Sequence, residues 1–218
     1  MITAGNRRYR LLNIGLLGAA LASTGACVRD PLPLICPTLS AGDLVVTEIR
    51  GDQSGSYRQW VELYNPTDAA IPLAGLRVTL SHTENDGTES FADFLVRDEA
   101  LELPARGYLV LGGGDPADID YIDYDYTLDL PLSSDPQKPG NLLPAATLEL
   151  LACDAVIDSV TYVLPVEGTL ALDGAAEPSA AANDDSSTGW CVDDRIGAGP
   201  QTQIGLRGTP GEANPPCP

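Results

Sequence analysis

Short runs of alternating or β-branched residues, separated by turn residues, recur along most of this sequence. The runs occupy residues 43–50, 59–65, 70–80, 90–96, 107–114 and 147–163. The second run alternates, with Trp60, Glu62 and Tyr64 on one predicted face and Val61 and Leu63 on the other. The 18 Pro and 22 Gly are spread throughout, and no window beyond the N-terminal leader has capped helical periodicity. The pattern predicts an all-β chain built as an antiparallel sandwich or barrel.

The N-terminus has the three parts of a secretory signal peptide. Three arginines precede a mostly apolar run at residues 11–22, and small residues at 23–26 lead to Cys27. A transmembrane helix needs roughly 20 apolar residues, so the run is too short for a membrane anchor. Residues 1–26 are therefore predicted to be a cleaved leader.

The position of Cys27 resembles the lipobox of bacterial lipoproteins, although Thr24 stands where that family usually has Leu. The resemblance implies that the Cys27 thiol is lipidated and that its new amine is acylated. Two or more acyl chains hold a protein stably at a membrane. Residue Val28 is not the Asp that signals inner-membrane retention, so we expect a cell-envelope location at the outer membrane. The alternative is an ordinary signal peptide cleaved nearby, with Cys27 free or paired.

The amino-acid composition limits the classes of partner and catalytic site that this chain can have. The formal net charge is −19, and removal of the arginine-containing leader makes the remainder more acidic. Such a surface repels nucleic acid and favours cations and basic partners. His82 is the single histidine, so a Ser-His-Asp or Cys-His site would have to include it, and no G-x-S-x-G motif is present. We therefore predict a protein that is not an enzyme and has no required cofactor.

Five cysteines fit the lipoprotein interpretation. If Cys27 is lipidated, an even number remains in an exported chain, which predicts two disulfides with three possible connectivities. The remaining cysteines are Cys36, Cys153, Cys191 and Cys217. The preferred pairing is Cys191 with Cys217, which closes the C-terminal tail on itself, and Cys36 with Cys153, which ties the N-terminal tether to the sheet.

The sequence divides into four segments. After the leader, residues 27–42 form a Pro-rich tether without periodicity. Residues 43–163 contain the strand-like runs and form the predicted β domain. Residues 164–218 are predicted to be a loop-rich tail that docks on this domain, with Trp190 and Cys191 returning to the sheet.

The order of the strand-like runs resembles the lamin tail domain family. The most specific piece is WVELYNPTDAAIPLAGLRV at residues 60–78, and the closing TGWCVDD and GTPGEAN, within residues 188–214, are similar to the tail of bacterial members. Residues 81–106 and 115–129 do not align. The resemblance implies an immunoglobulin-like β-sandwich with an irregular, disulfide-closed C-terminal tail, a binding or scaffolding role, and no shared catalytic residues.

These features predict a lipid-anchored envelope module whose partner is another envelope protein or a glycan. Two alternatives remain: an accessory domain of a secreted hydrolase system, since bacterial relatives often accompany hydrolase domains, and a calcium-dependent surface adhesion protein.

An Asp-rich run at residues 115–129 is the basis of the calcium alternative. The acidic residues are Asp115, Asp118, Asp120, Asp123, Asp125 and Asp129. Closely spaced carboxylates supply the oxygen ligands that Ca²⁺ prefers. The run lacks the Gly and the closing Glu of an EF-hand. A solvated acidic loop, or a strand with its acids facing water, is the competing interpretation.

Two other groups of residues have competing interpretations. Glu48 and Glu62 lie within strand-like runs, where a pair of carboxylates serves either acid–base chemistry or the framework. Trp60 and Trp190 either line a groove for a glycan or peptide or belong to the core.

Overall fold

The computed structural model describes residues 35–53, 58–84, 86–130, 142–195 and 206–218. Twelve strands and no helix form within these residues. In chain order the strands are β1 (Val45–Arg50), β2 (Trp60–Tyr64), β3 (Ile71–Pro72), β4 (Leu76–Thr83), β5 (Glu89–Leu95), β6 (Glu102–Leu103), β7 (Tyr108–Gly112), β8 (Tyr124–Asp125), β9 (Ala145–Ala152), β10 (Ala155–Val163), β11 (Thr169–Leu172) and β12 (Trp190–Asp193). The all-β prediction is confirmed for this part of the chain.

Two predicted features fall outside the described residues. These are the leader, residues 1–26, and Cys27 with the first part of the tether. The part of the chain that the structure describes contains no membrane-spanning helix.

The strands form two main sheets. The six-stranded sheet has the order β12-β11-β1-β2-β7-β8, and the four-stranded sheet has the order β10-β9-β4-β5. Strands β3 and β6 form a separate small pair. Neighbouring strands are antiparallel except for the short parallel contact between β7 and β8.

The largest hydrophobic cluster takes side chains from both sheets. Its members include Val46, Ile49, Val61 and Leu63 from the six-stranded sheet and Val78, Leu80, Leu148 and Leu150 from the four-stranded sheet. Each aliphatic side chain buried in this way stabilises the fold by about 1.5–3 kcal/mol. The alternation predicted for residues 59–65 thus places Val61 and Leu63 in the shared core.

Strands β1 and β2 are buried along their whole length. Their second face is covered by a smaller cluster made of Trp60, Val110, Tyr121, Ile122 and Leu206. Trp60 is therefore a core residue, and part of its cover comes from near the C-terminus.

The β9–β10 hairpin turns at Cys153, which has a positive φ of 53°. Cys153 forms a disulfide with Cys36, with Cα atoms 5.4 Å apart. Gly75, with φ 86°, also lies against the N-terminal segment, because an added Cβ would be 2.1 Å from the Ile35 carbonyl oxygen. Ile35 and Cys36, the first described residues, are thus held against the four-stranded sheet.

The described part of residues 164–218 contributes two strands, β11 and β12, to the six-stranded sheet. Strand β11 pairs with β1, and β12 pairs with β11. The sequence pattern did not predict β11, because TLAL is a short apolar run without alternation. Cys191 on β12 forms the second disulfide with Cys217, with Cα atoms 5.8 Å apart. Both disulfides join the cysteines of the preferred pairing, and together they are typical of an oxidising, extracytoplasmic environment.

Candidate functional site

Two glutamates face each other inside the six-stranded sheet. Glu48 on β1 and Glu62 on β2 are register partners, and both have 0% exposure. A register irregularity between Val46 and Glu48 sets the direction of the Glu48 side chain. Residues directly opposite in an antiparallel pair have Cβ atoms about 4.5–5.5 Å apart. The sheet therefore holds two carboxyl groups close together and away from water.

Glu48 is held by three hydrogen bonds. Its Oε1 accepts the Thr209 backbone N–H at 2.9 Å and lies 2.9 Å from the Thr209 hydroxyl oxygen. Its Oε2 accepts the Trp60 indole N–H at 3.3 Å. Two of these contacts come from Thr209, which is 161 positions away in the sequence.

Glu62 has a similar set of neutral partners. Its Oε2 accepts the Gly211 backbone N–H at 2.7 Å, and its Oε1 lies 2.7 Å from the Thr47 hydroxyl oxygen. The two glutamates are thus bound by residues two positions apart on the same C-terminal segment.

We call residues 206–214 the closing segment, because they cover the glutamate pair. Asn214 fastens its far end: the Asn214 side-chain N–H donates to the Thr47 carbonyl at 2.9 Å, and its Oδ1 lies 2.9 Å from the Thr209 hydroxyl. Gly208 allows a close approach, since its φ is +111° and an added Cβ would be 2.7 Å from Thr169 Oγ1. The residues of the GTPGEAN run therefore have specific structural roles.

Burial raises the pKa of both glutamates. For Glu48 the pKa rises from 4.5 to about 7, mainly through loss of hydration, while the hydrogen bonds from Thr209 and Trp60 lower it. For Glu62 burial and then the neighbouring Glu48 charge raise the pKa well above its ordinary value. Two like charges in a dry site repel strongly, so protonation is favoured. The pair can hold and release protons, but the closing segment keeps it away from any solute.

A small cleft of about 240 Å³ lies beside the closing segment. Its walls include Tyr64, Tyr108, Glu177, Pro178 and Asn214. The two tyrosine rings are 4.8 Å apart between centroids. The cleft is smaller than the roughly 300–1,000 Å³ of most ligand pockets, so it suits one side chain or one ring.

Charged groups border the cleft. The Tyr64 hydroxyl donates to Glu177 Oε1 at 2.9 Å, and Glu177 also pairs with Arg106. Arg106 in turn contacts Asp68 at 3.0 Å. The rim therefore has two carboxylates for one guanidinium.

The six candidate calcium ligands do not share one site, and several of them have separate hydrogen-bond or ion-pair partners. Asp129 forms a bidentate ion pair with Arg97, at 2.8 Å for the shortest contact, and also accepts the Leu95 backbone N–H. Asp123 accepts the Val110 backbone N–H at 2.8 Å. Asp115 and Asp125 each accept the backbone N–H two residues later, as in Asx turns.

The tyrosines of the same run point inward instead. Tyr121, Tyr124 and Tyr126 are all buried, whereas Asp118, Asp120 and Asp123 are exposed. Over the described ranges, no three acidic, His or Cys side chains are grouped so that they could hold a metal. This arrangement favours a solvated acidic loop anchored by its aromatic residues, and the calcium site stays an alternative hypothesis.

The remaining candidates have framework positions. Trp190 is partly buried, and its indole N–H donates to the Asn183 carbonyl at 3.3 Å. His82 lies on β4 opposite Ser90 of β5.

Comparisons with protein-family models, with curated proteins and with solved structures found no match to this chain. The inference about function therefore rests on the residues themselves. Sequence reasoning singled out Glu48 and Glu62 but did not identify Thr209, Gly211 and Asn214 as their cover. The one signal for these three residues was their place in the GTPGEAN run.

Proposed function

We propose that this chain is a non-enzymatic, lipid-anchored binding or scaffolding module of the cell envelope, attached to the outer membrane through Cys27. The observation that supports this most is the pair of disulfides, which uses Cys36, Cys153, Cys191 and Cys217. An exported chain with these four cysteines paired leaves Cys27 as the thiol for lipid attachment. The tether at residues 27–42 is short in sequence, which would keep the β domain close to the membrane.

The fold that we propose is an immunoglobulin-like sandwich of the lamin-tail type. The support is that strands β1, β2, β4, β7, β9 and β10 occupy the runs on which the resemblance rests, and that the two main sheets share one hydrophobic cluster. Strands β11 and β12 extend the six-stranded sheet beyond those runs.

For the contact with a partner we propose the cleft at Tyr64 and Tyr108. Aromatic faces bordered by hydrogen-bonding groups are what a sugar ring or a protruding peptide side chain uses. The acidic rim and the net charge of −19 favour a partner with basic groups nearby.

Fractionation of cells that express the Cys27→Ser variant tests the anchor. We expect this variant to leave the membrane fraction or to stay unprocessed. A double variant, Cys191→Ser with Cys217→Ser, is the control, because it removes two other cysteines, which form one disulfide, and leaves Cys27 in place. Unchanged membrane partition of Cys27→Ser would overturn the anchor.

Crosslinking in the native envelope, followed by capture, tests the binding surface. We expect Tyr108→Ala to reduce capture of the partner. Phe91→Ala is the control, because Phe91 is an aromatic residue on β5 with 63% exposure and lies on the other sheet. Equal capture by both variants would place the contact elsewhere.

A further inference from the structure

The closing segment contains a directional chain of hydrogen bonds. The Thr209 hydroxyl oxygen lies 2.9 Å from Glu48 Oε1 and 2.9 Å from Asn214 Oδ1. A hydroxyl has one hydrogen to donate, and a carboxylate oxygen and an amide oxygen are both acceptors. With Glu48 ionised, one of these two contacts therefore has no hydrogen.

A proton on Glu48 satisfies both contacts. Glu48 Oε1–H then donates to Thr209 Oγ1, and the Thr209 hydroxyl donates to Asn214 Oδ1. Asn214 is already oriented, because its N–H donates to the Thr47 carbonyl at 2.9 Å. Every member of the chain is then paired, which matters because an unpaired polar group in a buried site costs about 1–3 kcal/mol.

We propose that the closing segment is a proton-dependent latch, in which Glu48 keeps a proton while the segment is docked and loosens the segment when this proton is lost to water. Glu62 stays protonated throughout the transition. Glu48 has three hydrogen-bond contacts, two of them from N–H donors, and Glu62 has two. More donors favour the ionised form, so Glu48 ionises first.

Two acidic groups near the pair raise the pKa values of the glutamates further. Asp193 on β12 raises the pKa of Glu48, and Asp123 raises that of Glu62.

Arg50 on β1 is a cationic group near the pair. Its Nη1 is directed at the Gly168 and Arg207 carbonyls, and its guanidinium lies over the Trp60 ring. Tyr108 on β7 stays neutral because burial raises its pKa. On the segment itself, Arg207 pairs with Glu167 and Glu212 is exposed.

Loosening would change the cleft described above. Ala213 and Asn214 form part of the cleft wall, so a displaced closing segment removes that wall. The Cys191–Cys217 disulfide keeps the end of the chain attached to β12 during such opening. The movement is therefore local and reversible.

The pH range follows from the raised pKa of Glu48. In the open state the carboxyl group is in water with its ordinary pKa, so the open state binds the proton more weakly. The Glu48 proton therefore stabilises the docked segment fully below pH 4.5, and this contribution is lost as the pH rises to about 7. Release of one proton on opening makes the opening constant rise by up to about tenfold per pH unit in that window.

Hydrogen exchange of the Thr209 and Gly211 backbone amides measures the opening. After correction for intrinsic exchange rates, we expect their protection to fall between pH 5 and 7 in the wild-type protein. Glu48→Gln removes this fall, and Glu62→Gln preserves it. Glu212→Gln, the same change at an exposed position of the segment, also preserves it. A fall that survives in Glu48→Gln, or that disappears in Glu62→Gln, overturns the proposal.

A second measurement does not depend on the stability of any variant. Carbon-13 NMR of the side-chain carboxyl groups follows the titration of Glu48 and Glu62 in the wild-type protein. We expect the Glu48 signal to titrate near pH 7. Titration of both signals near pH 4.5 would overturn the latch, because the pair would then hold no proton at neutral pH.

Discussion

Asp158 on β10 accepts the backbone N–H of Val46 on β1 through its Oδ2, at a distance of 2.7 Å. The register of β1 shifts just after Val46. A carboxyl group on the four-stranded sheet thus accepts the Val46 N–H at this irregularity of the six-stranded sheet. Asn183 closes the arrangement, because its side-chain N–H donates to Asp158 Oδ2 at 2.8 Å and to the Val46 carbonyl at 3.0 Å. All three residues are buried.

Replacement of Asn183 by Ala is expected to destabilise the fold by about 1–3 kcal/mol, because the Val46 carbonyl and Asp158 lose a donor in a buried site. Urea unfolding with linear extrapolation measures the change. Asp184→Ala is the control, since Asp184 is the exposed neighbour of Asn183. An equal loss of stability in the two variants would show that the arrangement contributes nothing specific.

The stability should depend on the protonation of Asp158. Burial raises the pKa of Asp158 from 3.8 to about 6. The folded state then binds the proton more tightly, so this contribution is complete below pH 3.8 and is lost as the pH rises to about 6. Asp158→Asn keeps an acceptor for Val46 and cannot titrate. We expect the unfolding free energy of wild type minus that of Asp158→Asn to fall as the pH rises through this window. A difference that does not change with pH would refute the raised pKa of Asp158.

The two disulfides should stabilise the fold unequally. Each is expected to contribute on the order of 2–4 kcal/mol. Cys36 and Cys153 are 117 positions apart, whereas Cys191 and Cys217 are 26 apart. The chain-entropy relation predicts that Cys36→Ala with Cys153→Ala costs about 1 kcal/mol more than Cys191→Ala with Cys217→Ala. Chemical unfolding of the two double variants compares them, and the reverse order would contradict this explanation.

Glycine at position 208 should be essential for seating the closing segment. Gly208→Ala introduces backbone strain at φ +111° and places a Cβ 2.7 Å from Thr169 Oγ1. Gly87→Ala is the matched control, because φ there is +84° and nothing lies within 4 Å of an added Cβ. The control variant should lower the free energy of unfolding by about 1–2 kcal/mol through backbone strain alone. We expect a clearly larger loss of stability for Gly208→Ala in thermal unfolding, and equal losses would contradict the close approach.

Calcium should leave the melting temperature unchanged relative to a chelator at matched ionic strength. The reason is that Asp129 is paired with Arg97 and that Asp123 accepts the Val110 N–H. Differential scanning calorimetry makes the comparison. A rise of several degrees with millimolar Ca²⁺ that is absent in Asp123→Asn with Asp125→Asn would instead establish a calcium site in this run.

The strands that the sequence predicted are those whose pattern is local. Residues 59–65 alternate between the two faces of β2, and Cys153 and Asp154 mark the turn of the β9–β10 hairpin. Strand β8 has two residues and β11 is a short, fully buried apolar run, so neither has a periodicity that a sequence pattern can identify.

The candidate site was less predictable because its parts are distant in the sequence. The strand pattern placed Glu48 and Glu62 in β1 and β2, but their burial depends on Thr209, 161 positions after Glu48. Similarly, the sequence analysis of residues 115–129 considered the many aspartates as calcium ligands. It did not identify the tyrosines as the buried residues that anchor this run.

Intact-mass spectrometry of protein extracted from membranes with detergent is the most direct test of a lipid-anchored, disulfide-closed module. We predict the mass of a chain that begins at Cys27 with attached acyl groups. Reduction should add two hydrogens for each of the two disulfides, Cys36–Cys153 and Cys191–Cys217. An unmodified chain, a chain cleaved at another position, or free thiols before reduction would contradict the proposal.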